Sequence, residues 1–454
     1  MKRWVVPVAI GFLALIFVGS WGYNQHLANR GLENFLNNKY QRAFYDMTTQ
    51  VQNIEVLLSK CMVAYDPRLD TLLLMDIRQQ AAFAQSNLGQ LPLNDALAGR
   101  TAKFFAQVGD YAASLSNQVG RGNAIDGGHW ETLNNLYQQS LELNQELQGM
   151  QYKMAQNNFY FAELIHQTRK NLQKKPDTLA HTDFQALDQR MQQYPALIYD
   201  GPFSEHLEKF EPWNLRGVAE INPNEAHDKA LSFIDKQYAV DCQATVTGST
   251  GGRIPSYRVE VSLAGADDGH RALLDISKKG GKLVWLLNAR PVGGQSLDIN
   301  AARQKARDYL RNSGFGDMQA TYFLQHENLV TFNFAALQDG VTLYPDLIKV
   351  TVALDNGEVT GVETSGYLMS HRKRDLPTAG ISREQAQAGL NPRLQVVKGG
   401  SLVLIPLGAE DEKLVYEFQG KLGEDNYLVY VNALDGREEN VLKLIEGPDG
   451  ILTM

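Results

Sequence analysis

The sequence predicts a multidomain α+β protein: an N-terminal transmembrane helix, an antiparallel helical bundle, and three repeats that each lay a helix on a small antiparallel sheet. Three observations predict it. An uncharged apolar stretch follows Met1-Lys2-Arg3. Apolar residues then recur at helical spacing through residues 24–175. The remainder repeats a unit of about 80 residues, and a fixed period decides architecture before any single element does.

The stretch from Trp4 to Tyr23 is rich in Val, Ile, Leu and Phe, and about 20 such residues match the hydrocarbon core of a bilayer. The basic pair ahead of it puts the N-terminus on the cytoplasmic side. Residues 1–23 therefore read either as an uncleaved anchor bracketed by Trp4, Trp21 and Tyr23, or as a signal segment with Val18-Gly19-Ser20 as its cleavage site. On both readings the bulk of the chain is extracytoplasmic. Later apolar runs are short, and the mean hydropathy of −0.31 predicts no second span.

Residues 24–175 form the helical domain. Tyr40, Phe44, Met47, Val51, Ile54, Leu58 and Cys61 make a seam at spacings of three and four, the pattern of helices packed knobs into holes. Asp66-Pro67 is an N-cap with proline at the first helical position, and Leu69, Leu72, Leu73, Ile77 and Phe83 carry the helix that follows. A third helix starts at Pro92 and buries Phe104, Phe105, Val108, Leu115 and Val119. After the glycines between Gly120 and Gly128, a fourth starts near Trp130 and reaches Lys175. Short connections between four helices imply an antiparallel bundle. Residues 176–217, punctuated by Pro176, Pro195, Gly201-Pro202, Pro212 and Gly217, are a linker.

The repeats occupy 218–295, 296–370 and 371–454. Each opens on a helix start: Ile221-Asn222-Pro223-Asn224-Glu225-Ala226, Ile299-Asn300-Ala301-Ala302 and Ile381-Ser382-Arg383-Glu384-Gln385-Ala386. Each closes on a glycine turn: Lys279-Gly280-Gly281, Asp355-Asn356-Gly357 and Asp435-Gly436. Such turns between alternating apolar residues are hairpin signals. The expected strands are 257–263, 272–277 and 283–287; 329–334, 348–354 and 358–363; and 402–406, 414–419, 427–431 and 438–444. Gly389 and Pro392 shorten the helix of the third repeat.

Composition and motifs narrow the chemistry. A net charge of −8 excludes nucleic acid, whose phosphates demand a basic face. Two cysteines, Cys61 and Cys242, make no disulfide framework. Glu163 and His166 lie one helical turn apart, but a di-iron bundle needs a second such pair. The chain has no zinc-peptidase or nucleophile-elbow string. Asp267-Asp268 and Glu410-Asp411-Glu412 sit beside glycines and read as solvated turns. No catalytic, cofactor-binding or metal-ligating residue is assigned. The most pointed polar feature is His371-Arg372-Lys373-Arg374. It is either a solvated linker or a docking patch for an anionic partner, and in both cases its arginines should be replaceable without loss of stability.

The helix start with Glu225-Ala226, the following Ala230 and Phe233, and the closing hairpin resemble the PepSY module of extracytoplasmic proteins. The whole order resembles the YpeB family of spore germination proteins. Tyr40-Gln41-Arg42-Ala43-Phe44, Leu133-Asn134-Asn135-Leu136-Tyr137, Asp275-Ile276-Ser277-Lys278-Lys279 and Ser370-His371-Arg372-Lys373-Arg374 carry that likeness. The resemblance implies a non-enzymatic protein anchored in the inner spore membrane or cell membrane, facing the cortex. It would bind, stabilise or localise a SleB-type cortex-lytic peptidoglycan hydrolase and restrain it until germination, with peptidoglycan as a further partner. The alternative is a membrane-tethered sensor or cell-wall-binding ectodomain with no hydrolase partner.

Overall fold

The computed structural model describes residues 5–91, 95–156, 211–234, 242–262, 271–288, 290–407, 411–447 and 450–454. These fall into two compact units, one helical and one built on a sheet.

In the helical unit, α1 (Val5–Val63) is a single helix, so the expected anchor and the first bundle helix are one element. Among the described residues no helix is long and apolar enough to cross a membrane, so the span expected over 1–23 is not found there. The side chains of residues 5–16 lie outside the described residues. The seam holds: Phe44, Met47, Val51, Ile54, Leu58 and Cys61 are all buried. α2 (Pro67–Leu88) starts on its proline and runs back along α1. Asn53 donates to Gln80 and Asn87 to Gln50, an antiparallel pairing. The face of α2 differs from expectation. Leu72 and Phe83 are exposed, and Leu69, Leu73, Leu74, Ile77, Ala81, Ala84 and Leu88 turn inward. A helical stripe rotates by about 100° per residue, and small Ala81 lies against Gly109 of α3 (Asp95–Gly120), where a Cβ on the glycine would fall 3.5 Å from it. α4 (Gly127–Gln156) joins the set through Asn144 on Glu55 and through its first turn, where the His129 carbonyl accepts from Tyr111. Its continuation to 175, the Glu163–His166 pair and residues 176–210 lie outside the described residues.

In the sheet unit each repeat lays a helix on an antiparallel meander, of four strands in repeats one and two and five in repeat three. Repeat one has α5 (Pro223–Phe233), β1 (Gln243–Thr250), β2 (Ser256–Ser262), β3 (Arg271–Ser277) and β4 (Leu283–Asn288). Repeat two has α6 (Ile299–Asn312), β5 (Met318–His326), β6 (Leu329–Gln338), β7 (Val341–Ala353) and β8 (Val359–Glu363), then a short helix α7 (Ser365–Ser370). Repeat three has α8 (Arg383–Ala388), β9 (Gln395–Pro406), β10 (Glu412–Leu422), β11 (Asp425–Asn432), β12 (Glu438–Gly447) and β13 (Gly450–Thr453). Sequence periodicity missed β1, β5 and β13. β1 and β5 have mostly polar or partly exposed residues, so the alternation that marks a half-buried strand is faint.

Each helix is seated on the hairpin of its own repeat in the same way. The residue before the N-cap sends its backbone N–H to the carbonyl just past the third strand: Ile221 to Lys278, Leu297 to Leu354 and Ile381 to Ala433, at 2.8, 2.9 and 3.1 Å. Its side chain lies on the turn glycine. A Cβ added at Gly281, Gly357 or Gly436 would fall 3.3, 3.0 or 3.4 Å from Ile221, Leu297 or Ile381. All three glycines have φ between +59° and +79°, the left-handed region that side chains disfavour. The N-caps that follow are Asn222, Asp298 and Ser382. This corrects the register of repeat two: Leu297-Asp298, not Ile299-Asn300, matches Ile221-Asn222. The small helix face then meets the sheet through buried Ala226 and Ala230, Ala302 and Ala306, and Ala386.

The meanders join into one sheet in the order β1-β2-β3-β4-β8-β7-β6-β5-β13-β12-β11-β10-β9, with an extra parallel contact between β7 and β9. That contact closes repeats two and three into a ring. Replacing Gly357 with Ala should cost about 1–2 kcal/mol for the left-handed backbone plus the clash with Leu297. Gly340→Ala, at φ +80° with open space around it, should pay only the backbone part. Chemical denaturation of the two variants checks the difference, and equal losses would remove the seat from the account.

Candidate functional site

The polar groups that sequence analysis singled out gather at the joints between repeats. At the joint of repeats two and three, Pro345 cannot donate to a ladder and sits in a bulge of β7. Ala335 pairs with Leu347 and Ala336 with Leu343, leaving residues 344–346 out of register. The bulge turns Thr342 and Leu343 onto Val403 and Leu404 of β9. It also sends Tyr344 into the core of repeat three, among Val403, Ile405, Val415, Tyr430 and Leu442, with its hydroxyl donating to Glu417 at 2.7 Å.

The next residue, Asp346, is fully buried and receives the guanidinium of Arg374 on both oxygens, each at 2.9 Å. Arg374 also donates to Glu412 at 2.8 Å from two nitrogens. His371 reaches Asp346 at 2.7 Å and stacks on Tyr367. Arg372 donates to Glu412 at 3.1 Å and lies over the ring of Trp213. Burial alone would push the Arg374 guanidinium down, but its hydrogen bonds to Glu412 and Asp346 outweigh it and hold it above its ordinary value.

The structure therefore corrects the solvated picture of this run. Arg374 is an internal strut, His371 and Arg372 are half-buried, and Lys373 alone is fully exposed. Glu412, read as part of a solvated turn, is the strut's second partner. Asp411 pairs with Lys413, while Glu410 and Asp267-Asp268 lie outside the described residues.

A second cluster ties repeat one to repeat two. Arg290, just past β4, grips the hairpin of repeat two through Asp355, Asn356 and Glu358. Asn288 donates to Glu358 at 2.8 Å, and the Gly293 N–H to Asp355 at 2.8 Å. The Arg290 hydrogen bonds hold the Asp355 carboxyl down at about 2, against a small opposing effect of burial. Beside it, β4 pairs with β8 through Trp285–Glu363, Leu286–Val362 and Leu287–Gly361. Tyr309 of α6 donates to the Phe233 carbonyl at the end of α5.

Both clusters are charge-assisted and internally matched, which suits holding a joint in one geometry. Neither Cys61 nor Cys242 is in a disulfide, and burial pushes the Cys61 thiol well up, away from the reactive thiolate. Among the described residues no group of His, Cys, Asp and Glu is placed to hold a metal ion.

Two family models cover most of the chain: "YpeB N-terminal" over residues 28–163, and "YpeB sporulation, PepSY1 and PepSY2 domains" over residues 180–377. The chain belongs to the YpeB family. Its similarity to curated members runs end to end. Sporulation protein YpeB of Bacillus subtilis strain 168 is 27% identical over 98% of both chains. That of Halalkalibacterium halodurans is 29% identical over 97% of both, and that of Oceanobacillus iheyensis 25% over 98% of both. A solved structure, the Bacillus megaterium YpeB C-terminal domain, is 30% identical, spans 50% of this chain and 99% of its own, and superposes with a TM-score of 0.44.

Within this YpeB-family chain, sequence reasoning found the basic run but missed Asp346, Arg290 and Glu358. A carboxylate in the apolar string Leu343-Tyr344-Pro345-Asp346-Leu347-Ile348 was the available signal, because a charge there needs a buried partner. Arg374→Met should destabilise the sheet unit by about 3–5 kcal/mol by leaving buried Asp346 with His371 in place of a bidentate guanidinium. Adding Asp346→Leu should restore most of that loss, and a double variant as unstable as the single would refute the strut. Asp355 titrates lower in the folded chain than in the unfolded one. Its stabilisation is present above about pH 4 and is lost as pH falls toward about 2. Asp355→Asn should lower Tm at neutral pH and flatten its fall between those values, as scanning calorimetry across the acid limb would measure.

Proposed function

We propose that this YpeB-family protein is a non-catalytic germination component that holds a SleB-type cortex peptidoglycan hydrolase in place and restrains it until germination, outside the cytoplasm and tethered by its N-terminal apolar stretch. The observation that carries the reading is how the repeats use their polar residues. The carboxylates at the joints, Asp346, Glu412, Asp355 and Glu358, are matched to arginines of this same chain. A general acid or nucleophile needs a free position facing a substrate. The continuous sheet offers what a restraining partner uses instead: edges such as β1 and broad faces that add a strand or cover a cleft.

The full-length protein, mixed with cortex peptidoglycan with and without a cortex hydrolase, tests this by release of soluble muropeptides. Restraint predicts suppressed release when both proteins are present and none from this protein alone. Release by this protein alone would establish an enzyme, and unsuppressed release in the mixture would end the restraint reading.

A further inference from the structure

A cleft of about 380 Å³ opens where residues 211–220 cross the closing hairpin of repeat one, a volume within the range of about 300–1,000 Å³ that ligand sites occupy. Four cations line it, Arg216, Arg253, Lys278 and Lys279, against two carboxylates, Glu211 and Glu220. That excess is notable in a chain with a net charge of −8. Several arginines of the sheet unit pair with carboxylates of the same chain: Arg258 with Asp275, Arg290 with Asp355 and Arg374 with Asp346. Among the described residues Arg216, Lys278 and Lys279 make no ion pair. Arg216 instead stacks 3.5 Å over the Trp213 ring, and the Lys278 ammonium stands 5.2 Å from the Tyr257 ring.

The wall that carries these charges is fixed. Lys278 donates its backbone N–H to Pro255 and accepts from Ile221, both at 2.8 Å, and Gly280 donates to Ala219 at 2.9 Å. Gly280, at φ +76°, packs so closely on Val218 that a Cβ would lie 2.8 Å from it. The cleft is thus built in advance, which removes an ordering cost from binding. The cations are separate point charges and forks, each suited to one carboxylate. The two glutamates among them would repel a dense polyanion such as polyphosphate, and they tolerate a ligand whose charges are spaced along a chain. The volume accepts a few residues and no folded domain.

We propose that this cleft binds an acidic peptide segment, an extended tail or loop bearing Asp or Glu side chains, presented by a protein partner. The site does not require that partner to be a hydrolase. Isothermal titration of the full-length protein with a blocked penta-glutamate peptide tests it, with blocked penta-lysine and sodium tripolyphosphate as comparison ligands. Penta-glutamate should bind at low salt and weaken as salt rises. Lys278→Glu with Lys279→Glu should lower its affinity about tenfold with an unchanged thermal melt, and Glu220→Gln should raise it. No binding, or affinity indifferent to the lysine reversal and to Glu220→Gln, would overturn the proposal. Tighter binding of tripolyphosphate, lost in the same variants, would overturn it in favour of an inorganic-anion site.

Discussion

Everything in the sheet unit rests on one contact made three times: the apolar residue before each helix seated on the left-handed glycine of the same repeat's hairpin. The glycine gives the turn its twist and leaves room for Ile221, Leu297 or Ile381. The seated residue's N–H then donates to the carbonyl just past the third strand, which in repeats two and three also accepts from Ser296 or Gly380. With that residue fixed, the N-cap next to it is fixed, and so is the line of the helix across the sheet. The individual gains are small, about 1 kcal/mol for the hydrogen bond and, because Ile221, Leu297 and Ile381 are half-buried, less than the roughly 1.5–3 of a fully buried Leu or Ile. Their value is geometric, because a module of this size has too little core to define itself.

Such modules must lean on one another, and the two joints do so by different means. Repeats one and two meet through strand pairing of β4 with β8 and a half-buried clasp, in which Arg290 takes the very hairpin that seats α6. Repeats two and three meet through burial. The Pro345 bulge moves a tyrosine and an aspartate out of the sheet of repeat two, and repeat three supplies the apolar pocket for one and the arginine's second partner for the other. A buried pair adds little net stability over an apolar contact. It does penalise every arrangement that separates its charges, so it fixes one geometry.

The local features were legible and the long-range ones were not. Hairpin glycines, N-caps and the alanine faces of α5 and α6 declare themselves within a few residues, which is why the threefold pattern could be read. The slip at Ile299-Asn300 shows the limit. That pair imitates Ile221-Asn222, and only the hydrogen bond from Ala301 to Asp298 reveals the true cap. The basic run failed for a different reason. Arg374 finds Asp346 and Glu412 far away in sequence, and nothing local to Arg374 distinguishes a strut from a solvated cation. The cleft beside Lys278 and Lys279 was invisible for the same reason, since its opposite wall comes from residues 211–220.

The third repeat follows from these constraints rather than from weaker sequence. Its helix α8 ends at Ala388 and buries only Ala386, so its core needs filling from elsewhere. Leu390 and Leu394, from the loop that replaces the missing turns, are buried, and Leu394 lies so close over Gly420 that a Cβ there would meet it at 2.5 Å. Tyr344 of repeat two fills the other side and hydrogen-bonds Glu417, whose carboxyl burial pushes up. Repeat three is therefore completed by repeat two, and the two form one mechanical body closed by β7 on β9. Repeat one is joined to that body by an edge pairing and a half-buried clasp of Arg290 on Asp355 and Glu358. Any rearrangement that separates repeats should begin at the Arg290 clasp, because opening either joint strands a buried carboxylate, Glu358 or Asp346, but opening the other one also exposes an apolar core.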